Sequence, residues 1–388
     1  MKNTLEHITF GANWVLTEKT ANLLGQCYAY VNAMLKIPLR PDYHQKLHLV
    51  SLNKGALATT AIEGNTLTQK DLDLIQKGKD LGPSKKYQQK EIENVLNAFS
   101  AIFNELTREK PQPISPNLIK RLHEMIGKDI GETFDANPGQ FRRRNVIVGL
   151  VYRPPSFEQV EKLIQKLCDW LIREFHYTKA QHFDEAIIEA IVAHIYIAWI
   201  HPFSDGNGRT ARLLEFYLLL RAGIPTIASH ILSNHYNDTR TQYYRQLQQA
   251  SETGNLSAFM EYALEGFRDG LEQTMAVIHQ EQTELTWNNY VHEIMEKTQG
   301  KSSKTLRRMQ QLACKIPADK FCSPEEIKIL SIKIAEEYRK LNDITLRRDL
   351  DALAEMKVLK TEKGKYCANH NLLHRFLPDT SAAIRRHY

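Results

Sequence analysis

Cysteine is scarce in this sequence, and no two cysteines have the spacing of a metal-binding or redox pair. The 388 residues include five cysteines, at positions 27, 168, 314, 322 and 367, and no Cys-x-x-Cys motif. An odd number of scattered cysteines argues against a disulfide framework and against a zinc ribbon. We therefore expect free thiols and a cytoplasmic protein.

Long apolar runs are also absent. No apolar stretch reaches 18 residues without a polar interruption, so we expect no membrane-spanning helix. The first residues, MKNTLEHITFGANWVL, lack the apolar run and cleavage site of a secretory signal. Hydrophobic residues still make up 42% of the chain, which is enough for a substantial core. At about 150 residues per domain, the length predicts two or three domains.

Positive charge is concentrated in the last quarter of the chain. Residues 289–388 contain 20 Lys and Arg against 13 Asp and Glu, whereas residues 1–288 contain 31 against 32. This asymmetry indicates a separate module with a polyanionic partner, and a solvated basic face is the alternative explanation.

Helical patterns dominate the first 288 residues. In the segment 158–175 apolar residues recur at intervals of three and four, the spacing of one helix face. The segment 185–200 is apolar almost all round, which predicts a central buried helix. The predicted helices are Tyr43–Ile62, Lys90–Glu109, Glu158–Phe175, Glu185–Ile200 and Arg209–Ala222.

One segment in this part has the composition of a β-hairpin. Phe141–Tyr152 reads FRRRNVIVGLVY and is followed by two prolines. Its β-branched residues favour strands, Gly149 permits a turn, and the prolines end the segment. Linkers are expected at Asp80–Lys86 and Thr298–Lys304, where Gly, Ser, Pro and Lys cluster.

The C-terminal part has a different pattern. Ser323–Tyr338 is predicted as a helix with Ser323 as its N-cap and Pro324 at its first position. Asp343–Met356 is predicted as a second helix, and 358–360 and 366–368 as two short strands around Gly364. The order of helix, turn, helix and hairpin resembles a winged helix-turn-helix.

The segment richest in chemical groups is HPFSDGNGRTAR, His201–Arg212. Residues 206–208, Gly-Asn-Gly, lead into a predicted helix, whose unpaired N–H groups and dipole favour a phosphate. Arg209 and Arg212 are three residues apart on the first turn, where they can bind further phosphates.

Two further side chains complete this set. Asp205, beside bound phosphates, is a natural ligand for Mg²⁺. His201 has an ordinary pKa near neutrality and can accept a proton from an attacking hydroxyl. Together these groups indicate phosphoryl or nucleotidyl transfer, and the alternative is a plain helix–loop–helix with a surface histidine.

This segment resembles the signature of Fic-domain proteins, H-P-F-x-[D/E]-G-N-G-R-x-x-R, and matches it at every specified position. The resemblance covers residues 3–284 and implies a mainly α Fic helical bundle with a small β-hairpin flap. The winged-helix-like module, which the family does not always carry, follows it. It implies three regions: 1–85 with an inhibitory helix, 86–284 as the Fic domain, and 285–388.

The resemblance also implies an activity, namely transfer of AMP from ATP to a Ser, Thr or Tyr hydroxyl of a target protein. His201 would be the general base, Asp205 the Mg²⁺ ligand, and Gly208, where a kinase-like branch has lysine, favours AMP transfer. The implied nucleotide-binding residues are Val146, Ile147, Val148, Gly149, Gly206, Asn207, Gly208, Arg209, Thr210, Ala211, Arg212, Tyr243 and Tyr244. The flap would pair with an extended segment of the target.

A second motif resembles the inhibitory motif of the same family. Thr59 to Gly64, TTAIEG, fits [S/T]-x-x-x-E-[G/N]. Glu63 would pair with Arg212, which the γ-phosphate of ATP also needs, so ATP would bind in a pose unsuited to in-line attack. The simpler alternative is a helix that ends at Glu63 with Gly64 as its C-cap.

Two other functions stay open. The same site suits removal of AMP from a modified protein, with Glu63 positioning water. The basic module also suits a DNA-binding regulator with a nucleotide-sensing Fic domain, through Lys340, Arg347 and Arg348, although acidic residues share that helix. These acidic residues are Asp349, Asp351 and Glu355. Family resemblance further favours a homodimer.

Overall fold

The computed structural model describes residues 6–108, 111–149, 152–175, 183–339 and 341–374. The chain divides into two compact units, Met1–Met275 and Ala276–Tyr388. The division falls inside one long helix, and so does the boundary that the sequence predicts after residue 284. None of the helices in the described part of the chain has the length and apolar character needed to span a bilayer.

The first unit is helical, as the sequence predicts. Its helices are α1 (Glu18–Lys36), α2 (Pro41–Ala61), α3 (Gln69–Gln76), α4 (Lys86–Arg108), α5 (Pro116–Gly127), α6 (Phe157–Glu174), α7 (Phe183–Ile200), α8 (Asn207–Arg221), α9 (Ile231–Asp238), α10 (Arg240–Thr253) and α11 (Ser257–Lys297), which runs on into the second unit. The five predicted helices correspond to α2, α4, α6, α7 and α8, with ends that differ by at most four residues. A short 3₁₀ turn, Pro83–Lys85, lies in the first predicted linker.

Helices α7 and α8 form the centre of this unit. Nearly every residue of α7 is buried, including the polar Glu189 and His194, and α8 is buried over most of its length. The two helices pack against each other, and α2, α4 and α5 all contact α8. The loop that joins α7 to α8 is therefore held by a buried framework, and the end of α2 reaches the same helix.

The predicted hairpin is less regular than the sequence indicates. Among the residues described in this segment, Val148 and Tyr152 form a single antiparallel bridge, with N–H to carbonyl distances of 2.9 and 3.3 Å. Leu150 and Val151 lie outside the described residues. Gly149 has φ +58°, as expected of a turn. A two-stranded ribbon without a covering layer is marginal, which explains why the pairing is so short.

The second unit has its own core and a small sheet. It contains α12 (Ser303–Ala313), α13 (Pro324–Lys328), α14 (Ile332–Arg339), α15 (Asp343–Glu355), β1 (Leu359–Glu362) and β2 (Lys365–Ala368). Strands β1 and β2 are antiparallel, with Leu359 opposite Ala368. A further bridge joins Cys322 to Tyr366, just before α13. A buried cluster that includes Trp287, Met309 and Leu350 fills the interior.

The prediction of one helix over Ser323–Tyr338 is wrong, because the segment forms α13 and α14. The expected N-cap is confirmed: Ser323 accepts a hydrogen bond from the Glu326 N–H at 3.2 Å, and Pro324 is the first helical residue. A second cap interrupts the segment, since the Ser331 hydroxyl accepts a hydrogen bond from the Ile334 N–H at 3.3 Å. Because the apolar pattern continues through this position, it does not reveal where α14 begins.

Candidate active site

The loop between α7 and α8 is closed by its own residues. Asn207 accepts a hydrogen bond from the Phe203 N–H and donates one to the Phe203 carbonyl, both at 2.8 Å. Gly206 has φ +77°, and a Cβ there would lie 3.0 Å from Phe134 and 3.1 Å from Ile126. Glycine is therefore required at 206 both for the backbone conformation and for the packing.

Helix α8 begins directly after this loop. The Thr210 N–H and hydroxyl both donate to the Gly206 carbonyl, at 2.9 and 2.8 Å. The N–H groups that precede Thr210 have no acceptor within the helix, because the first turn of a helix lacks carbonyls on its N-terminal side. Their partial positive charge makes this end of α8 suited to a phosphate.

His123 of α5, which the sequence analysis missed, supports the same loop. Its ring stacks on Phe203, with centroids 3.7 Å apart and planes inclined by 2°. Its Nδ1 accepts a hydrogen bond from the Gly139 N–H at 2.9 Å, so Nε2 carries the proton and donates to the Asp205 carbonyl at 3.0 Å. Burial lowers the pKa of His123 to about 4, which keeps this neutral tautomer at pH 7.

His201 directly follows the last residue of α7 and has a left-handed backbone conformation, with φ +50°. Its Nδ1 lies 3.4 Å from the Ala198 carbonyl, which assigns the proton to Nδ1 and leaves Nε2 as an acceptor. Burial lowers the pKa of His201 to about 4; the Ala198 contact opposes this shift and the charge of Arg142 adds to it. The imidazole is therefore neutral at pH 7, which is the state that a general base requires.

Arg209 lies between two carboxylates. Its Nη1 forms a close ion pair with Glu91, and its Nη2 donates to Asp205 Oδ1 at 3.0 Å. Glu91 and Arg209 are both buried, and Asn65 donates to the second Glu91 oxygen at 3.0 Å. Burial raises the pKa of Glu91, which Arg209 opposes. The sequence analysis missed Glu91, because a single glutamate in a helix has no distinctive spacing.

Arg212 is 1% exposed and contacts the end of α2. Its Nη2 donates to the Thr59 carbonyl at 2.9 Å and to Glu63 Oε1 at 2.5 Å. The Glu63 side chain is 32% exposed. The pair that the inhibitory motif predicts is therefore present, with one buried and one partly exposed partner.

The turn that carries Glu63 is fixed by local and distant contacts. Helix α2 ends at Ala61, two residues before the predicted end at Glu63, so Glu63 lies in the turn that follows. Gly64 closes this turn with φ +99°, and its N–H donates to the Ala61 carbonyl at 2.9 Å. The Tyr244 hydroxyl donates to the Ile62 carbonyl at 3.2 Å. These contacts hold the end of α2 against α10 and α8.

Electrostatics keep the Glu63 carboxylate ionised. Burial raises its pKa, but the charge and hydrogen bond of Arg212, with smaller effects of Arg209 and His201, bring it below the usual value. A Cβ on Gly208 would overlap Glu63 Oε1. The carboxylate therefore lies against the first turn of α8, where the sequence predicts phosphate binding.

Seven of the thirteen predicted nucleotide-binding residues are buried: Gly206, Asn207, Arg209, Thr210, Ala211, Arg212 and Tyr243. Thr210 and Ala211 are fully enclosed in α8. Tyr243 is 3% exposed, and its hydroxyl lies 2.8 Å from His194 Nε2 within a cluster of aromatic rings. The structure therefore places the Tyr243 ring in the interior, whereas Tyr244 is 46% exposed.

The flap residues lie nearer the surface. Ile147 is 60% exposed, Val146 and Val148 are partly exposed, and Gly149 is exposed. The segment is tied down at its far end by Tyr152, whose hydroxyl donates to the Trp199 carbonyl at 2.8 Å.

The described residues contain no cluster of three or more His, Cys, Asp or Glu side chains suited to a metal ion. Asp205 offers a single carboxylate, 31% exposed and paired with Arg209. One carboxylate together with substrate phosphates is a usual way to hold Mg²⁺. The donor set therefore fits a metal that arrives with a nucleotide rather than a resident ion.

Comparison with known proteins identifies relatives of this region. A sequence model of the Fic/DOC family matches residues 113–219. The curated protein adenylyltransferase Fic of Nematostella vectensis is 30% identical over 205 residues, which are 53% of this chain and 44% of the relative. Protein adenylyltransferase fic-1 of Caenorhabditis elegans is 31% identical over 205 residues, 53% of this chain and 37% of the relative. The matched segment thus spans less than half of these relatives.

Solved structures share the fold. A Fic family protein from Desulfovibrio desulfuricans G20 superimposes with a TM-score of 0.57 at 18% identity, covering 92% of this chain and 98% of that chain. Fic-1 from Caenorhabditis elegans superimposes with a TM-score of 0.52 at 20% identity, covering 67% and 73%. The family match contains the whole segment from His201 to Arg212. Residues 113–219 are therefore similar in sequence to the Fic/DOC family, and the fold is shared with solved Fic family proteins.

Proposed function

We propose that this protein is a protein adenylyltransferase that transfers AMP from ATP to a Ser, Thr or Tyr hydroxyl of a target protein. The observation that carries the proposal is the loop at 201–208, where a neutral histidine and the open N-terminus of α8 meet two arginines. The names of the curated relatives support this activity.

The chemistry of the step follows from these groups. His201 Nε2 accepts the proton of the target hydroxyl, and the hydroxyl oxygen attacks the α-phosphorus of ATP. The bond between the α-phosphorus and the bridging oxygen breaks, and pyrophosphate leaves. In this proposal the N–H groups of Asn207 and Gly208 bind phosphate oxygens, and Arg209 and Arg212 bind the distal phosphates. The Gly206 N–H donates to Asp205 Oδ1 at 2.5 Å, so it reaches a phosphate only if Asp205 turns away.

A magnesium ion fits this proposal as part of the substrate complex. Asp205 is the residue that would hold it, beside Arg209. When bound, the ion supplies positive charge that balances the phosphates. The backbone of Gly206 fixes the orientation of Asp205 through the loop, and His123 holds the Asp205 carbonyl.

Autoinhibition by Glu63 is part of the same proposal. Glu63 uses the Arg212 nitrogen that a γ-phosphate needs, and the carboxylate repels a phosphate that approaches Gly208. ATP then binds, if at all, with its α-phosphorus out of line with the attacking oxygen. Thr59 contributes through its carbonyl, which accepts from the same nitrogen.

We propose the flap as the docking edge for the target. An extended segment of the target would pair with the exposed edge of residues 146–149, as an added strand does. The side chain of Ile147 is the apolar contact that such a segment would meet. The homodimer and the cytoplasmic location stay predictions from the sequence.

Removal of AMP is the alternative activity. It is favoured by the position of the Glu63 carboxylate, which lies against Gly208 and interacts with His201. A carboxylate at this place can orient a water toward the phosphorus of an AMP-modified side chain. Incubating an AMP-modified target with the wild type and with Glu63→Gly separates the two directions, since only the wild type removes AMP if Glu63 positions the water.

The second unit supports a further proposal, a winged-helix module that binds DNA. Asp349 is buried and accepts hydrogen bonds from Arg308 and from the Tyr338 hydroxyl, both at 2.7 Å, so it does not oppose an anion at the surface. Arg347 and Arg348 are exposed on α15. Lys340, which the sequence also implicates, lies outside the described residues.

Binding of labelled duplex DNA to the whole protein at low salt tests this module. The wild type should bind with a strong salt dependence, and Arg347→Gln/Arg348→Gln should weaken binding and reduce that dependence. Equal binding by both proteins would exclude α15 as the contact surface.

ATP labelled at either the α- or the γ-phosphate tests the main proposal. The Glu63→Gly variant is incubated with Mg²⁺ and each label, and radioactivity retained on the protein is measured. AMP transfer predicts retention from the α-label alone. Retention from the γ-label, or from neither, contradicts AMP transfer to the protein itself.

A further inference from the structure

Arg142 is a buried arginine at the start of the flap. It is 4% exposed, and within the described residues its side chain donates only to backbone carbonyls. Nε donates to the His201 carbonyl at 2.8 Å, Nη1 donates to the Arg144 carbonyl at 3.0 Å, and Nη2 donates to the Pro155 carbonyl. One guanidinium thus contacts His201 and both ends of the flap.

Further hydrogen bonds connect the loop of His201 to the segment that carries the flap. The Arg142 N–H donates to the Pro202 carbonyl at 2.9 Å. The Asn145 side chain accepts a hydrogen bond from the Phe157 N–H at 3.0 Å, next to the same flap end. The loop that carries His201 and the segment that carries the flap are therefore connected through backbone and side-chain bonds at one point.

An arginine in this environment is chemically unusual. Burial lowers the pKa of Arg142, since a charge away from water is unfavourable unless it is well paired. The three hydrogen bonds leave from three different nitrogens of the rigid guanidinium, whereas an ammonium group has a single nitrogen on a flexible chain. The contacts of Arg142 therefore hold the surrounding backbone in place.

We propose that Arg142 is a positioning residue that couples the flap to the general base: it fixes the carbonyl of His201 in its left-handed conformation and holds the two ends of the flap at the same point. This inference rests on the proposed adenylyltransferase function. Docking of a target on the flap and placement of the His201 ring then depend on a single side chain.

The same residue affects the proton affinity of the base. The charged groups that face His201 are Arg142 and Glu63, which act in opposite directions: Arg142 lowers the pKa of His201 and Glu63 raises it. Removal of the Arg142 charge therefore shifts protonation of His201 to higher pH, while a lysine at 142 retains part of the effect.

The test uses Glu63→Gly as the parent, with Arg142→Lys, Arg142→Gln and the control Arg143→Gln introduced into it. Arg143 is the exposed neighbour on the same segment. The rate of self-modification by Mg-ATP is measured from pH 4 to 8. The folded fraction of each variant is measured at every pH by circular dichroism, and the rate is divided by it, so that the midpoint reports the titration of the base rather than unfolding in acid.

Both Arg142 variants should lower the rate about tenfold or more, since a small misplacement of a reacting group has effects of this size. The acidic limb of the profile should move to higher pH in Arg142→Gln and much less in Arg142→Lys. Arg143→Gln should match the parent. Rates and midpoints equal to the parent in both Arg142 variants would overturn the proposal.

Hydrogen–deuterium exchange of the same proteins gives a readout that does not need activity. Exchange should rise in peptides over 143–149 and 152–156 in the Arg142 variants and stay unchanged in the control. If the parent forms no AMP adduct, the proposed function fails, while the exchange result still decides the link between Arg142 and the flap. Unchanged exchange would overturn that link.

Discussion

The carboxylate of Glu63 and the guanidinium of Arg212 are joined by a hydrogen bond of 2.5 Å, across the first turn of α8. The same Arg212 nitrogen donates to the Thr59 carbonyl, so the end of α2 contacts it through both backbone and side chain. Because Arg212 is almost completely buried, another anion can reach this nitrogen only if Glu63 moves away. This competition is the physical basis of the proposed inhibition by Glu63.

Gly208 gives a direct test of where Glu63 lies. A Cβ at 208 would overlap Glu63 Oε1, so Gly208→Ala should destabilise the wild type by displacing that carboxylate. In the Glu63→Gly background the clash is absent, and the same substitution should have a smaller effect. Urea unfolding of the four proteins should give a coupling energy of about 1 kcal/mol or more. Additive effects would contradict this placement of Glu63.

The closure of the loop by Asn207 predicts a large effect on stability. Asn207→Ala leaves the N–H and carbonyl of Phe203 without their partners, so the free energy of unfolding should fall by about 2–4 kcal/mol. Asn22→Ala, an exposed change in α1, should alter it by about 0.5 kcal/mol or less. A loss as small as that of the control would show that the loop does not depend on Asn207.

The ion pair of Glu63 also predicts a pH dependence. Because Arg212 holds the pKa of Glu63 below its usual value of 4.5, the pair stabilises the protein above that pH and the stabilisation is lost as the pH falls below it. The stability difference between the wild type and Glu63→Gln should therefore be constant from pH 7 to about 5 and shrink below it. The exposed change Glu132→Gln is the control. A difference that grows in acid would contradict an ionised Glu63.

Much of the fold could be predicted from the sequence because helix periodicity is a local signal. The helix α7 shows this well, since an apolar run of this length has no other place than the interior. The division of 323–338 into α13 and α14 was not predicted, because Ser331 caps α14 inside a continuous apolar pattern. The number of paired residues in the flap depends on whether another layer packs on it. A local sequence pattern contains no information about such packing.

The site was predictable where its residues are consecutive and not where they come from other helices. His201 to Arg212 lie in one loop and one turn, so their joint chemistry is visible in the sequence. His123 and Glu91 reach the loop from α5 and α4, and a single histidine or glutamate in a helix has no distinctive spacing. Arg142 was visible only as one of three consecutive arginines, and burial distinguishes it from the other two.

The buried acid of the second unit gives a prediction that is independent of the Fic domain. Asp349→Ala removes the partner of Arg308 and of the Tyr338 hydroxyl, leaving a largely buried guanidinium unpaired. Unfolding of this unit should be easier by about 3–5 kcal/mol, seen as a lower midpoint of urea unfolding when hydrogen–deuterium exchange is followed in peptides within residues 303–355. Glu355→Gln, an exposed change on the same helix, should have no effect. Equal midpoints would show that Asp349 has no structural role.

Intact-protein mass spectrometry after incubation with Mg-ATP tests the central claim most directly. Four proteins are compared: the wild type, Glu63→Gly, His201→Ala, and the double variant. The account predicts the added mass of AMP on Glu63→Gly alone, because that protein retains the base and lacks the competing carboxylate. Equal adducts on the wild type and Glu63→Gly would contradict inhibition by Glu63, and an adduct on the double variant would contradict the role of His201.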